Sequence, residues 1–134
     1  MTSIFTKIIN GDIPCYKVAE DENFLAFLDI NPLQKGHTLV VPKVEVDKYF
    51  DLEDETIAAM SVFAKKVAQS IKQVFPCDRV GVAVIGLEVP HAHIHLIPIS
   101  KMSDMDFRNP KLQLNKEEML KISTELQQQI SFTL

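Results

Sequence analysis

Three of the four histidines in this 134-residue chain stand at alternate positions, His91, His93 and His95, in the stretch HAHIHLIPI. On a β-strand, side chains at i, i+2 and i+4 share one face with neighbours roughly 7 Å apart. The spacing therefore predicts a half-buried strand with a row of imidazoles on one side and Ala92, Ile94 and Leu96 on the core side. A helix would scatter them. Such a row has three uses. The imidazoles can simply face water. They can hold a metal, because two histidines two apart on a strand both reach one zinc ion through neutral ring nitrogens, with His37 as a further ligand and Glu88 as the one carboxylate close in sequence. Or one of them can act as a nucleophile on phosphorus or carbon, its Nδ1 proton held by a backbone carbonyl or a neighbouring imidazole, while the others handle the leaving group and the developing charge.

The elements that must position this row follow from patterning. Ile4, Phe5, Ile8 and Ile9 recur at short helical spacing, and the turn signal NGDIP, Asn10 to Pro14, ends that helix. Two strands, Cys15 to Glu20 and Phe24 to Asp29, are joined as a hairpin by Asp21-Glu22-Asn23, and a third strand, His37 to Val41, is entered through Gly36 and closed by Pro42. Met60, Phe63, Ala64, Val67, Ile71 and Val74 form the stripe of an amphipathic helix over residues 52–75, with Asp51 or Asp54 as its cap. Valine-rich Val80 to Ile85 reads as a buried strand leading into the histidine strand. After a loop over Ser100 to Leu114, Asn115 and Glu118 fit a capping box for a last helix carrying Met119, Ile122, Leu126 and Ile130. Consecutive strands with short turns predict an antiparallel α+β domain. Irregular alternation of strands and helices, with no glycine-rich phosphate loop, argues against a doubly wound nucleotide fold.

Length and composition predict a single domain over 1–134, 46% of its residues hydrophobic. Eighteen acidic against fourteen basic side chains, a net charge of −4, leave no basic footprint for nucleic acid or an anionic membrane surface. The polar residues among the first thirteen argue against a signal peptide, and no apolar run is long enough to span a bilayer. Two distant cysteines, Cys15 and Cys77, fit a reduced, cytoplasmic setting.

HAHIHLIP resembles the His-x-His-x-His-x-x signature, x apolar, of the histidine triad (HIT) superfamily of nucleotide hydrolases and transferases. IFTKIINGDIP and FLAFLDINPLQKGHTLVVPK resemble its Hint-like branch and its bacterial members in order and spacing. The resemblance spans Ile4 to Pro98, with the triad core at about 4–99 and the C-terminal loop and helix at about 100–134. It implies a HIT-like fold, an antiparallel sheet with one long helix and a C-terminal helix, the sheet continued across a homodimer. It also implies a purine nucleotide substrate whose α-phosphate is bonded to an amine or another leaving group. Residue by residue, it makes His93 the nucleophile that becomes nucleotidylated, His91 the residue whose carbonyl receives His93 Nδ1–H, His95 the group near the leaving atom, and His37 a supporting histidine beneath the triad. Asp29 matches the acid that binds the ribose hydroxyls, and Phe5, Ile8, Phe27 and Ile30 match the walls of the base pocket.

Gly86-Leu87-Glu88-Val89 stands where Hint-type proteins place Gly-Gln-Ser-Val, which puts Glu88 and Val89 at the phosphate. A carboxylate there repels the α-phosphate unless it turns outward or meets a cationic leaving group. Ser3-Ile4-Phe5-Thr6 and Glu45 occupy positions where some bacterial relatives carry the cysteines and a histidine of a zinc site, so no metal or other cofactor is expected. The expectation is a cytoplasmic, homodimeric nucleoside phosphoramidase-type hydrolase. The alternatives are a dinucleoside polyphosphate hydrolase, a metal-dependent hydrolase built on the triad, and a non-catalytic nucleotide-binding regulatory dimer.

Overall fold

The structure, a computed structural model, describes residues 2–130. A five-stranded antiparallel sheet is ordered β1-β2-β3-β5-β4, from β1 (Lys17–Glu20), β2 (Phe24–Leu28), β3 (Thr38–Pro42), β4 (Arg79–Ala83) and β5 (Ile94–Ile99). The expected α+β class is the one observed. Among the described residues three α-helices accompany it, α1 (Ile4–Ile9), α2 (Asp54–Val74) and α3 (Lys116–Gln129), with short 3-10 turns at Tyr49–Asp51 and Met102–Met105. The terminal segment was expected to run to 134; residues 131–134 lie outside the described part.

Strand alternation divides the core in two. Phe24, Ala26 and Leu28 of β2, Val40 of β3 and Ile94 and Leu96 of β5 point to the side covered by α2 and α3, where they meet Met60, Phe63, Val67, Ile71, Ile122 and Leu126. Leu25 and Phe27 of β2 and Leu39 and Val41 of β3 point to the other side and meet Phe5 of α1. Leu39 pairs across the ladder with His95, so the histidine side of β5 is the α1 side of the sheet.

Local chemistry sets the boundaries. Asp21 Oδ1 accepts from the Asn23 and Phe24 amides at 2.8 Å each, which makes the β1–β2 turn. Asn115 Oδ1 accepts from the Glu118 amide at 2.8 Å and caps α3, but the reciprocal half of the expected box gives way to an ion pair, Glu118 Oε2 to Lys35 Nζ at 2.6 Å. At the start of α2 the expectation is corrected. The cap position is Glu53, which makes no side-chain cap bond; Asp54 and Glu55 sit inside the first turn, where their charge favours the helix N-terminus.

The strand expected to be buried over Val80 to Ile85 is also corrected. Strand β4 is Arg79–Ala83, paired on one side only, with Val82 62% exposed and Val84 and Ile85 exposed beyond it. Valine content reports fit to a pleated surface, and an edge strand offers that surface as well as a central one does.

Candidate active site

The histidine row is not one strand. His91 and His93 precede β5 and only His95 lies in it, so two of the three rings come from the irregular segment that leads into the strand. Nor does the row face water: His91, His93 and His95 are 0%, 6% and 9% exposed, and His37 is also buried. Two phenylalanines from opposite ends of the chain cover them. The Phe5 ring lies edge-on to His93 at 5.1 Å and to His91 at 5.8 Å between centroids, and Phe107 lies edge-on to His95 at 5.0 Å and His37 at 6.3 Å.

Buried ring nitrogens take hydrogen-bond partners, and the partners determine where the protons sit. The Leu33 amide donates to His37 Nδ1 at 3.0 Å, so the His37 proton is on Nε2. That Nε2–H donates to His95 Nδ1 at 3.0 Å, so His95 in turn carries its proton on Nε2. His93 Nδ1–H donates to the His91 carbonyl at 2.7 Å, leaving Nε2 as the unprotonated nitrogen. His91 Nε2–H donates to the Pro42 carbonyl at 2.8 Å, so its Nδ1 accepts from Ser3 Oγ–H at 2.7 Å. Two adjacent rings, 5.0 Å apart between centroids, thus present opposite chemistry: a lone pair on His93 Nε2 and a proton on His95 Nε2.

Electrostatics keep this arrangement neutral. Desolvation holds the proton affinity of His93 below its ordinary value. It takes His95 to about 4, assisted by His93, and His37 to about 3, assisted by His95 and Lys111.

Asp29 follows β2 and does two things. Its Oδ1 accepts from the Asn31 amide at 2.8 Å, the turn role, while Oδ2 lies 3.6 Å from His37 Nε2. Burial raises its pKa against that amide bond, and the Glu88 charge raises it further. The same charge favours a proton on His93, so Glu88, itself exposed, acts on both groups. Of the residues expected to wall a base pocket, Phe5, Ile8 and Phe27 pack together on the histidine side of the sheet, and Val89 joins them. Ile30 does not: it is 71% exposed.

Asp29, His37 and His95 bring one donor atom each within 4.8 Å of one another, a spacing that suits a metal. The hydrogen bonds do not. A metal on His37 Nε2 would move the ring proton to Nδ1, where it would meet the Leu33 N–H head-on.

Phe107 was not foreseen. It sits in a stretch read only as loop, and the signal was a single aromatic among polar residues. The loop is tied down by Leu112 N–H to the Pro32 carbonyl at 2.9 Å and by Lys111 Nζ to the Phe107 and Asn109 carbonyls at 2.6 and 3.1 Å.

The sequence profile of the HIT domain matches residues 10–102. An uncharacterized HIT-like protein of Borreliella burgdorferi is 37% identical over 135 residues, covering 95% of this chain and 97% of its own. An adenosine 5'-monophosphoramidase of Schizosaccharomyces pombe is 42% identical over 99 residues, covering 73% of this chain and 74% of its own. Among solved structures, a HIT-like protein of Bartonella henselae, described as involved in cell-cycle regulation and holding an unknown ligand, superposes with a TM-score of 0.82 at 28% identity, 96% of each chain covered.

Proposed function

The chain belongs to the HIT domain family, and from that premise we propose that it is a nucleotide hydrolase that cleaves the bond between the α-phosphate and an amine through a nucleotidyl-His93 intermediate. The observation that carries this reading is the His93 Nδ1–H bond to the His91 carbonyl, which leaves Nε2 unprotonated beside the proton on His95 Nε2. The phosphoramidase among its relatives supports the choice of bond.

In the first step the His93 Nε2 lone pair forms the P–N bond as the bond from phosphorus to the leaving nitrogen breaks. The leaving nitrogen takes up a proton through His95, and the amine departs. Water then attacks phosphorus, giving its proton to His95 Nε2 in place of the one the amine took, and the P–N bond to His93 breaks to release the nucleoside monophosphate. His93 recovers its lone pair. A low proton affinity at His93 keeps the nucleophile available at and below neutral pH. Asp29 Oδ2 would take the ribose hydroxyls and Phe5, Ile8, Phe27 and Val89 a purine face; Ile30 and Glu88 would bound the opening.

Pairing of two chains through β4 accords with that strand's open edge and with the exposure of Val82, Val84 and Ile85. No helix among the described residues is long and apolar enough to cross a membrane; a cytoplasmic location is part of the same reading. So is one HIT unit over 1–134, since α3 shares its apolar cluster with α2 and the sheet.

The test is a quenched reaction with adenosine 5'-phosphoramidate followed by peptide mass spectrometry. An adenylylated His93, absent from His93→Ala, is the expected result, unchanged by EDTA. No adduct and no turnover would leave nucleotide binding alone; turnover lost to chelation and restored by zinc would install the metal-dependent reading. A strong preference for a dinucleoside polyphosphate would replace the substrate class.

A further inference from the structure

We infer that Ser3, Thr6 and Glu45 form a positioning network that fixes His91 and, through its carbonyl, aims His93; the inference rests on the role given to His93 above. The network is continuous. Glu45 Oε1 accepts from the Ser3 amide at 2.7 Å and from Thr6 Oγ1–H at 2.5 Å. Ser3 Oγ accepts from the Thr6 amide at 3.0 Å, as the cap of α1, and donates to His91 Nδ1 at 2.7 Å.

Its consequence is a single permitted state for His91. That ring is fully buried, with one nitrogen donating to the Pro42 carbonyl and the other accepting from Ser3. Without the Ser3 hydroxyl, Nδ1 keeps only the Thr6 hydroxyl, 3.5 Å away and already donating to Glu45, so the ring must rotate, admit water or exchange its proton. The peptide unit that carries the His91 carbonyl is held as well, its N–H, on Ala92, donating to the Val46 carbonyl at 2.8 Å. With ring and amide both fixed, the carbonyl that receives His93 Nδ1–H has one direction. The same bonds dock α1, a six-residue helix too short to persist alone, so that Phe5 reaches His93.

Ser3 and Glu45 touch no reacting atom in this scheme, so their variants are judged on more than rate. Ser3→Ala should lower kcat on the order of tenfold, the cost of one unsatisfied buried acceptor, while the dissociation constant for adenosine 5'-monophosphate changes less than about twofold. Ser3→Thr, which keeps the hydroxyl, should restore the rate. Glu45→Ala should lower kcat and Glu45→Gln, which keeps an acceptor oxygen, should not. The decisive measurement is the imidazole ¹⁵N spectrum. Wild type should show His91 protonated on Nε2 and a slowly exchanging His93 Nδ1–H, and Ser3→Ala should disturb both, whether or not the enzyme turns over any substrate tried. Unchanged His91 and His93 resonances in folded Ser3→Ala would overturn the network. So would a Ser3→Ala that loses nucleotide affinity and rate together with no rescue by Ser3→Thr. If Ser3→Ala does not fold, Glu45→Ala against Glu45→Gln decides by the same spectrum.

Discussion

Four imidazoles packed in a dry cluster should make this protein sensitive to mild acid, well above the range in which carboxylates titrate. In the unfolded chain His37 and His95 take up protons near 6.5. In the folded protein burial holds His95 to about 4 and His37 to about 3. A group whose folded pKa is depressed refuses a proton that the unfolded chain accepts, so stability is fully present above pH 6.5 and falls as the pH drops toward the folded value. Between pH 7 and pH 5 each of the two should cost about 2 kcal/mol, about 4 kcal/mol for the pair, from roughly 1.4 kcal/mol per pH unit below 6.5. His93, also depressed, adds in the same direction. Asp29 acts oppositely, because its pKa is raised and protonating it favours the fold, but that begins nearer the carboxylate range. Urea unfolding followed by circular dichroism at pH 7, 6 and 5 measures the loss directly. A His37→Asn, His95→Asn double variant should flatten the dependence over that interval, whatever its stability at pH 7. A wild-type loss below about 1 kcal/mol, or a double variant with an undiminished slope, would refute the claim that these rings are buried and neutral.

Removing the Phe107 ring should let water reach His95 and His37, so Phe107→Ala should raise the His95 pKa from about 4 toward its ordinary 6.5, read by NMR titration; a His95 titration that stays put would show that Phe107 contributes nothing to its desolvation. Glu88→Gln should raise kcat/KM for a phosphoramidate with a neutral amine and lower it for one with a lysine-like cationic amine, each by less than about fivefold for an exposed, screened charge. Equal changes for both substrates, or none, would mean that Glu88 selects nothing.

The order of elements was legible because its signals are local. Asp21 and Asn115 hold their turn and cap through side-chain bonds a few residues long, and the stripe from Met60 to Ile71 faces one side of a helix. What escaped depends on neighbours that composition does not name. Whether Val80 and Val82 lie inside a sheet or at its edge is decided by the presence of another strand beside them. The α2 start failed for a different reason: Asp51 and Asp54 both suited a cap, and the chain used Glu53, which lies between them, with no side-chain bond at all.

At the site, the row of histidines was visible but its environment was not. Alternation announced three rings on one side of an extended segment; it could not say that Phe5 and Phe107, 102 positions apart in sequence, would close over them from both ends. Both phenylalanines lie outside the 10–102 span that the HIT domain profile matches. The shared segment therefore supplies the reacting rings, while the flanks set how dry those rings are and, through Ser3, how His91 is held. Dryness decides protonation here, since desolvation is the leading cause of every histidine shift in the cluster. It follows that two chains of the family with identical triads and different flanks would carry the same nucleophile at different proton affinities, and that differences in their pH dependence should be sought in the residues before 10 and after 102 rather than in the histidines.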